Sequence, residues 1–164
     1  MTRGLGLALL ALTVLLDQLS KSWVVAYFDA GGSVAVPGIP RRVVTPFFNL
    51  VLTWNRGMSF GLFNRDATWN AVLFSLLAVV IVAALMVWLW RTDSALVAAG
   101  IGLVAGGAIG NVIDRLRLGA VTDFLDFHWG DWHFATFNVA DSAITVGVAL
   151  LLLDALLYRR EKPY

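Results

Sequence analysis

Four long apolar runs alternate with more polar stretches along the chain. A helix that crosses a bilayer needs about 20 mostly apolar residues. Residues 70–90, from Asn70 to Trp90, hold no charge. Residues 142–158 are similar, with Asp154 towards the far end, and residues 95–113 are apolar but glycine-rich. Residues 5–28 are apolar around Asp17 and Lys21. The expected fold is an all-α membrane protein of one domain, residues 1–164, with four transmembrane helices.

Two intervening segments have another pattern. Within residues 34–63, Val43-Val44-Thr45 and Phe47 to Trp54 are β-branched and aromatic, and Pro37, Pro40, Pro46, Gly57 and Gly61 punctuate them. That is strand-and-turn chemistry. An open sheet edge cannot face lipid, so a small extracytoplasmic β-sheet is expected there. Within residues 123–138, Phe124 to His128 and His133 to Phe137 flank Trp129-Gly130-Asp131-Trp132. Gly-Asp suits a two-residue hairpin turn, which brings residue 138 back towards residue 123.

Composition agrees with a membrane protein. Mean hydropathy is +0.78, and 14% of residues are charged against roughly 25% in soluble domains. A net charge of +1 lacks the basic excess of a nucleic-acid binder. The absence of cysteine removes disulfides, thiolate nucleophiles and cysteine-ligated metals. Thr2-Arg3 before an apolar run resembles a signal peptide. Asp17-Gln18-Leu19-Ser20-Lys21 replaces the small-residue cleavage site, so a retained span is expected. Arg3, Arg91, Arg159, Arg160 and Lys162 flank one side in short segments. Arg41, Arg42, Arg56, Arg65, Arg115 and Arg117 lie on the other side, diluted over two longer loops. The positive-inside rule therefore favours, without deciding, both termini in the cytoplasm, with loops 29–69 and 114–141 outside. Trp69, Trp88, Trp90, Trp129 and Trp132 lie near span ends, where aromatic belts form.

The chemistry concentrates in a few polar residues. Asp141 stands at the mouth of the last run, and Asp123 precedes it by 18 residues. Ionisable groups at a membrane are costly and mark function by default. Two carboxylates that meet can divide acid and base roles. Asn138 and Asp141 have N-cap and N3 spacing, which is also the pattern of a plain capping box. The helix dipole would favour a charged Asp141, whereas Asp123, flanked by Val121, Phe124 and Leu125, is expected to be desolvated and more readily protonated. Asp17 and Lys21 have i,i+4 spacing in the favourable order, as a structural pair or a functional one. Gly102, Gly106 and Gly110 repeat a small-xxx-small spacing that lets helices approach closely. Asn111, Asp114 and Arg115 end that span, and the adjacent Asp114 and Arg115 cannot share a face.

Other patterns carry less. Gly57-Met58-Ser59-Phe60-Gly61 matches G-x-S-x-G but lacks the strand–turn–helix setting of a nucleophile elbow. His128 and His133 have no zinc-binding helical spacing.

Five segments occur in order: Val14 to Lys21, Asn55-Arg56-Gly57-Met58-Ser59-Phe60, Gly106 to Arg115, Val121-Thr122-Asp123-Phe124, and Phe137 to Ala143. Together they resemble the lipoprotein signal peptidase (signal peptidase II) family of bacteria, over nearly the whole chain. Met58-Ser59 departs from the two small residues of many relatives. The resemblance implies an aspartic endopeptidase of the bacterial inner membrane, active on its periplasmic side. It implies substrates that are prolipoproteins with a diacylglyceryl-modified cysteine, cut just before that cysteine. It maps the catalytic pair onto Asp123 and Asp141, and other polar motif residues onto Asp17, Lys21, Asn55, Asn111, Arg115 and Asn138. Gly57 and Asp114, in the same motifs, are expected supporting positions. Globomycin-type inhibitors are implied as ligands, with no metal or cofactor and no nucleic acid. A monomer is expected because one chain supplies both aspartates. The rival readings are a small proton-coupled transporter, which would show inverted repeats and half-helices, and a membrane scaffold packed through its glycines.

Overall fold

The computed structural model describes residues 2–31, 39–56 and 67–160. The apolar runs form α1 (Thr2–Asp29), α2 (Ala67–Arg91), α3 (Ala95–Leu118) and α4 (Val139–Arg160). All four are long and apolar enough to cross a membrane. The strands are β1 (Arg41–Thr45), β2 (Phe48–Asn55), β3 (Val121–Trp129) and β4 (Trp132–His133). The order helix–hairpin–helix therefore occurs twice, with both halves in the same orientation and both hairpins in one antiparallel sheet, β1-β2-β3-β4.

α3 is the central, mostly buried helix and packs on each of the other three. Its glycines make this possible. Gly102 meets Gly6 of α1, and a β-carbon at Gly106 would lie 2.7 Å from Thr13 Cβ. On the other side, Gly100 meets Gly147 of α4 and Gly107 meets Ala140. The small-xxx-small spacing thus serves α1, while Gly100 and Gly107, off that spacing, serve α4. Among the described residues the backbones of α2 and α4 do not approach each other closely, and α3 lies between them. Their outer faces carry rows of exposed apolar residues, such as Leu73, Val80, Leu152 and Leu156, suited to lipid.

Local signals set the ends of α3. Ser94 Oγ accepts from Val97 N at 3.2 Å. Gly119, at φ +69°, donates its N–H to Arg115 O, the left-handed stop that glycine tolerates best. The helix continues five residues past the expected limit of 113, because Asp114 is satisfied inside the protein rather than ending the span. α4 begins at Val139, three residues before the expected 142, for a similar reason: Asp141 belongs to its capped first turn.

The hairpin expected around Gly130 is present, with Trp129 paired to Trp132 and Gly130 at φ +59°. It is not a separate unit, however. β3 pairs along β2, with Leu50 opposite Leu125 and Thr53 opposite Asp123 across a bulge. After β4 the chain returns to pair Phe137 with Leu125. Val24 and Phe28 of α1 pack with Leu50, Leu52 and Phe124 to seat the sheet on the bundle.

Candidate active site

Asp123 lies on β3 and Asp141 in the first turn of α4. Asn138 joins them. Asn138 Oδ1 accepts from Asp141 N at 2.9 Å, and Asp141 Oδ2 accepts from Asn138 N at 3.2 Å. This is a reciprocal capping box with aspartate in place of glutamate. The same residue's Nδ2 donates to Asp123 Oδ1 at 2.7 Å. Helix capping and carboxylate bridging therefore use one side chain, so the structural and functional readings of Asn138 are compatible.

Each carboxylate has a second donor. Asn55 Nδ2 donates to Asp123 Oδ2 at 3.0 Å, and Asn111 Nδ2 donates to Asp141 Oδ1 at 2.8 Å. Their exposures differ: Asp123 is buried and Asp141 half-buried. Burial pushes the Asp123 carboxyl up to about 6, and the neighbouring Asp141 charge adds to this. The Asn55 and Asn138 hydrogen bonds and the Lys21 charge oppose the rise. Asp123 thus holds a proton at a pH where an ordinary aspartate has lost it.

A buried ionic network lies behind the pair. Lys21 Nζ contacts Asp17 Oδ2 at 2.8 Å, Asp114 Oδ2 at 3.1 Å and Asn111 Oδ1 at 3.0 Å. Gln18 Nε2 spans Asp17 Oδ2, Asp114 Oδ1 and Gly110 O. Each acid also accepts a peptide N–H: Ala140 N to Asp17 Oδ1, and Thr122 N to Asp114 Oδ2, both at 2.9 Å. Such pairing makes burial of three charges tolerable.

Arg115 turns the other way, as its adjacency to Asp114 requires. Its guanidinium lies 5.6 Å from the Phe74 ring centroid on α2. Arg115 and Asn111 line one end of a cavity of about 250 Å³ that continues along Phe74, Leu77 and Ile81 of α2, Val104 of α3 and Ile144 of α4. This apolar slot opens where α2 and α4 stand apart.

Asp17, Lys21, Asn55, Asn111, Asp114, Asn138, Asp123 and Asp141 thus form one connected cluster, with Arg115 at its edge. Gly57 and the Gly57–Gly61 G-x-S-x-G stretch lie outside the described residues. Sequence reasoning did not single out Gln18, although an amide beside Asp17 in an apolar helix was a visible signal. It could not reveal the Thr122 and Ala140 peptide donors. His133 faces Asp126 at 2.8 Å rather than the aspartate pair, and its ring stacks on His128 at 4.9 Å. Burial would raise the Asp126 carboxyl, but Asn49, His133 and Arg41 together hold it below the usual value.

Known proteins are similar to this chain in sequence and in fold. A model of the family described as Signal peptidase (SPase) II matches residues 9–157. The chain is 44% identical over 154 residues to a lipoprotein signal peptidase of Coxiella burnetii, covering 93% of this chain and 90% of that protein. It is 46% identical over 154 residues to one from Methylorubrum extorquens, covering 92% and 85%. With one from Rhizorhabdus wittichii the identity is 44%, covering 98% and 90%. A solved structure described as a bacterial membrane enzyme, obtained by the in meso method at 2.3 Å, matches with TM-score 0.77 at 26% identity, covering 98% of this chain and 93% of that one. At this identity and over this much of both chains, the protein belongs to the signal peptidase II family of membrane-spanning aspartic peptidases.

Proposed function

We propose that this enzyme removes the signal peptide from prolipoproteins whose cysteine carries a diacylglyceryl group, cutting just before that cysteine, with Asp123 and Asp141 as its catalytic pair. The observation that carries this reading is the Asn138 bridge, which joins a buried Asp123, whose carboxyl is pushed up to about 6, to a second carboxylate at a capped helix start. Asp141 takes a proton from water as the water oxygen attacks the scissile carbonyl carbon. Asp123 gives its proton to the carbonyl oxygen. The resulting tetrahedral species collapses: the C–N bond breaks, the proton on Asp141 passes to the leaving amine, and Asp123 recovers a proton from the diol. This scheme requires no metal or cofactor.

The slot between α2 and α4 supports a lipid-borne substrate, because its apolar walls lead to Asn111 and Arg115 beside the pair. Burial of acyl chains contributes about 0.8 kcal/mol per CH₂, enough for lipid to anchor the substrate. Globomycin-type inhibitors would compete for the same place. The charges at Arg3 and Arg91 favour cytoplasmic termini, which puts the aspartates on the periplasmic side of the inner membrane. One chain supplies the whole site, consistent with a monomer. Inverted-repeat transporters place broken helices at midplane; the four helices here are continuous and the aspartates lie at element ends.

The test is cleavage of a diacylglyceryl-modified prolipoprotein by purified protein. Wild type is expected to release the signal peptide, with Asp123→Asn and Asp141→Asn each inactive. A wild type unable to cut would remove the substrate assignment, and full activity in either variant would remove the catalytic pair.

A further inference from the structure

Lys21 sits on α1, the helix that supplies neither aspartate of the pair, and only 3% of it is exposed. Its ammonium has three donors, and Asp17, Asp114 and Asn111 take all three. The same three acceptors lead directly to the catalytic pair, Asp17 and Asn111 through their other side-chain atom and Asp114 through the oxygen that also meets Lys21. Asp17 holds the N–H of Ala140, the residue before Asp141. Asp114 holds the N–H of Thr122, the residue before Asp123. Asn111, with its oxygen turned to Lys21, presents its Nδ2 to Asp141.

We propose that Lys21 is the positioning residue of the catalytic pair: a buried cation that holds β3 and the start of α4 at a fixed spacing, through the two acids that grip the peptide before each aspartate. The proposal rests on the reading of Asp123 and Asp141 as acid and base. Two like charges such as Asp17 and Asp114, buried without a cation, repel each other and lose their solvation. Gln18 bridges them but cannot neutralise them. Without Lys21 the two peptides lose their common anchor, and the Asn111 oxygen keeps only the longer 3.3 Å hydrogen bond from Asn138 Nδ2. The charged groups around Asp123 are Asp141 of α4, Lys21 of α1, and Arg115 and Asp114 of α3. Lys21 therefore also acts on the proton of Asp123 through space.

The experiment uses the full-length protein in lipid nanodiscs with a diacylglyceryl-modified prolipoprotein peptide. It measures kcat, KM and the pH profile, with unfolding followed by tryptophan fluorescence. Lys21→Met is expected to lower kcat about 100-fold, the scale of a 1 Å misplacement, with KM changed by less than about threefold. The alkaline limb of its pH profile moves upward, because the charge that lowers Asp123 is gone. Lys21→Arg, which keeps the charge, recovers part of kcat. A folded Lys21→Met with kcat within about threefold of wild type and an unmoved limb overturns the proposal. If Lys21→Met does not hold its fold, Asp114→Asn decides: it removes one buried charge but keeps an amide oxygen for Thr122 N–H. A drop of about tenfold in its kcat supports the proposal and an unchanged kcat overturns it. A wild type that does not cut defeats the peptidase reading itself, whereas a cutting wild type matched by its variants defeats only the role of Lys21.

Discussion

Gly110→Ala tests whether α1 packing governs the chemistry. A β-carbon at Gly110 would lie 2.5 Å from Asp17 Oδ2 and 3.1 Å from its Cγ. The first distance is about 0.9 Å inside the 3.4 Å at which ordinary contact begins. Asp17 cannot yield easily, because Lys21 holds the same oxygen and Ala140 N–H holds the other. Either the side chain turns and releases Ala140, or α1 moves away from α3. Overpacking of this kind costs about 1–3 kcal/mol of stability. A shift approaching 1 Å at the peptide before Asp141 costs up to about 100-fold in rate. Gly102→Ala is the control, because it clashes with the Gly6 backbone about two turns along the same face of α3 from Gly110. The assay compares kcat at matched folded fraction, with thermal unfolding measured in parallel. Gly102→Ala should lose stability while its folded molecules keep their kcat, and Gly110→Ala should lose both. Equal kcat values for the two variants would refute the link between Asp17 and the aspartate pair.

Two further outcomes follow from separate contacts. Asn55→Ala removes a hydrogen bond that lowers the Asp123 carboxyl, so Asp123 rises above its value of about 6. With Asp123 as the acid, activity falls as pH rises through that value, and the variant's alkaline limb should lie up to about one pH unit higher. An unmoved limb in a pH–rate profile would assign the proton elsewhere. The same raised carboxyl favours the folded state below 3.8, a contribution lost as pH rises through about 6, and Asn55→Ala extends that window upward. Ser94→Ala removes the cap of α3 and the 2.7 Å donor to Asp154 Oδ1. It should lower stability by about 1–3 kcal/mol and leave kcat unchanged, as thermal unfolding and the cleavage assay would show.

Residues 70–90 announced α2 because a charge-free run of that length has few other uses. Asn138 and Asp141 announced a helix start because capping is local, and the Gly130 turn announced its hairpin for the same reason. The pairing of β3 with β2 was not legible. Residues 48–55 and 121–129 are separated by two membrane helices, and strand register across that distance has no local signature. The helix–hairpin–helix order was implicit in the expected spans and the two β segments, but its repetition has no counterpart in similar residues. Within the site, side chains were easier to anticipate than peptides. Asp17, Lys21 and Asn111 are unusual residue types in apolar helices. The N–H groups of Thr122 and Ala140 belong to every residue alike, so only the fold distinguishes them.

The separation of α2 from α4 has a consequence for how turnover should be expressed. If the proposed lipid-borne substrate enters this slot from the bilayer, it does so by lateral diffusion, and substrate and enzyme meet in two dimensions. The rate then follows the mole fraction of prolipoprotein in the amphiphile phase, not its molarity in the bulk. Adding empty micelles at constant substrate slows such an enzyme by surface dilution alone. On the same reading the freed signal helix would leave by the lateral route, with the surrounding lipid as both supply and sink.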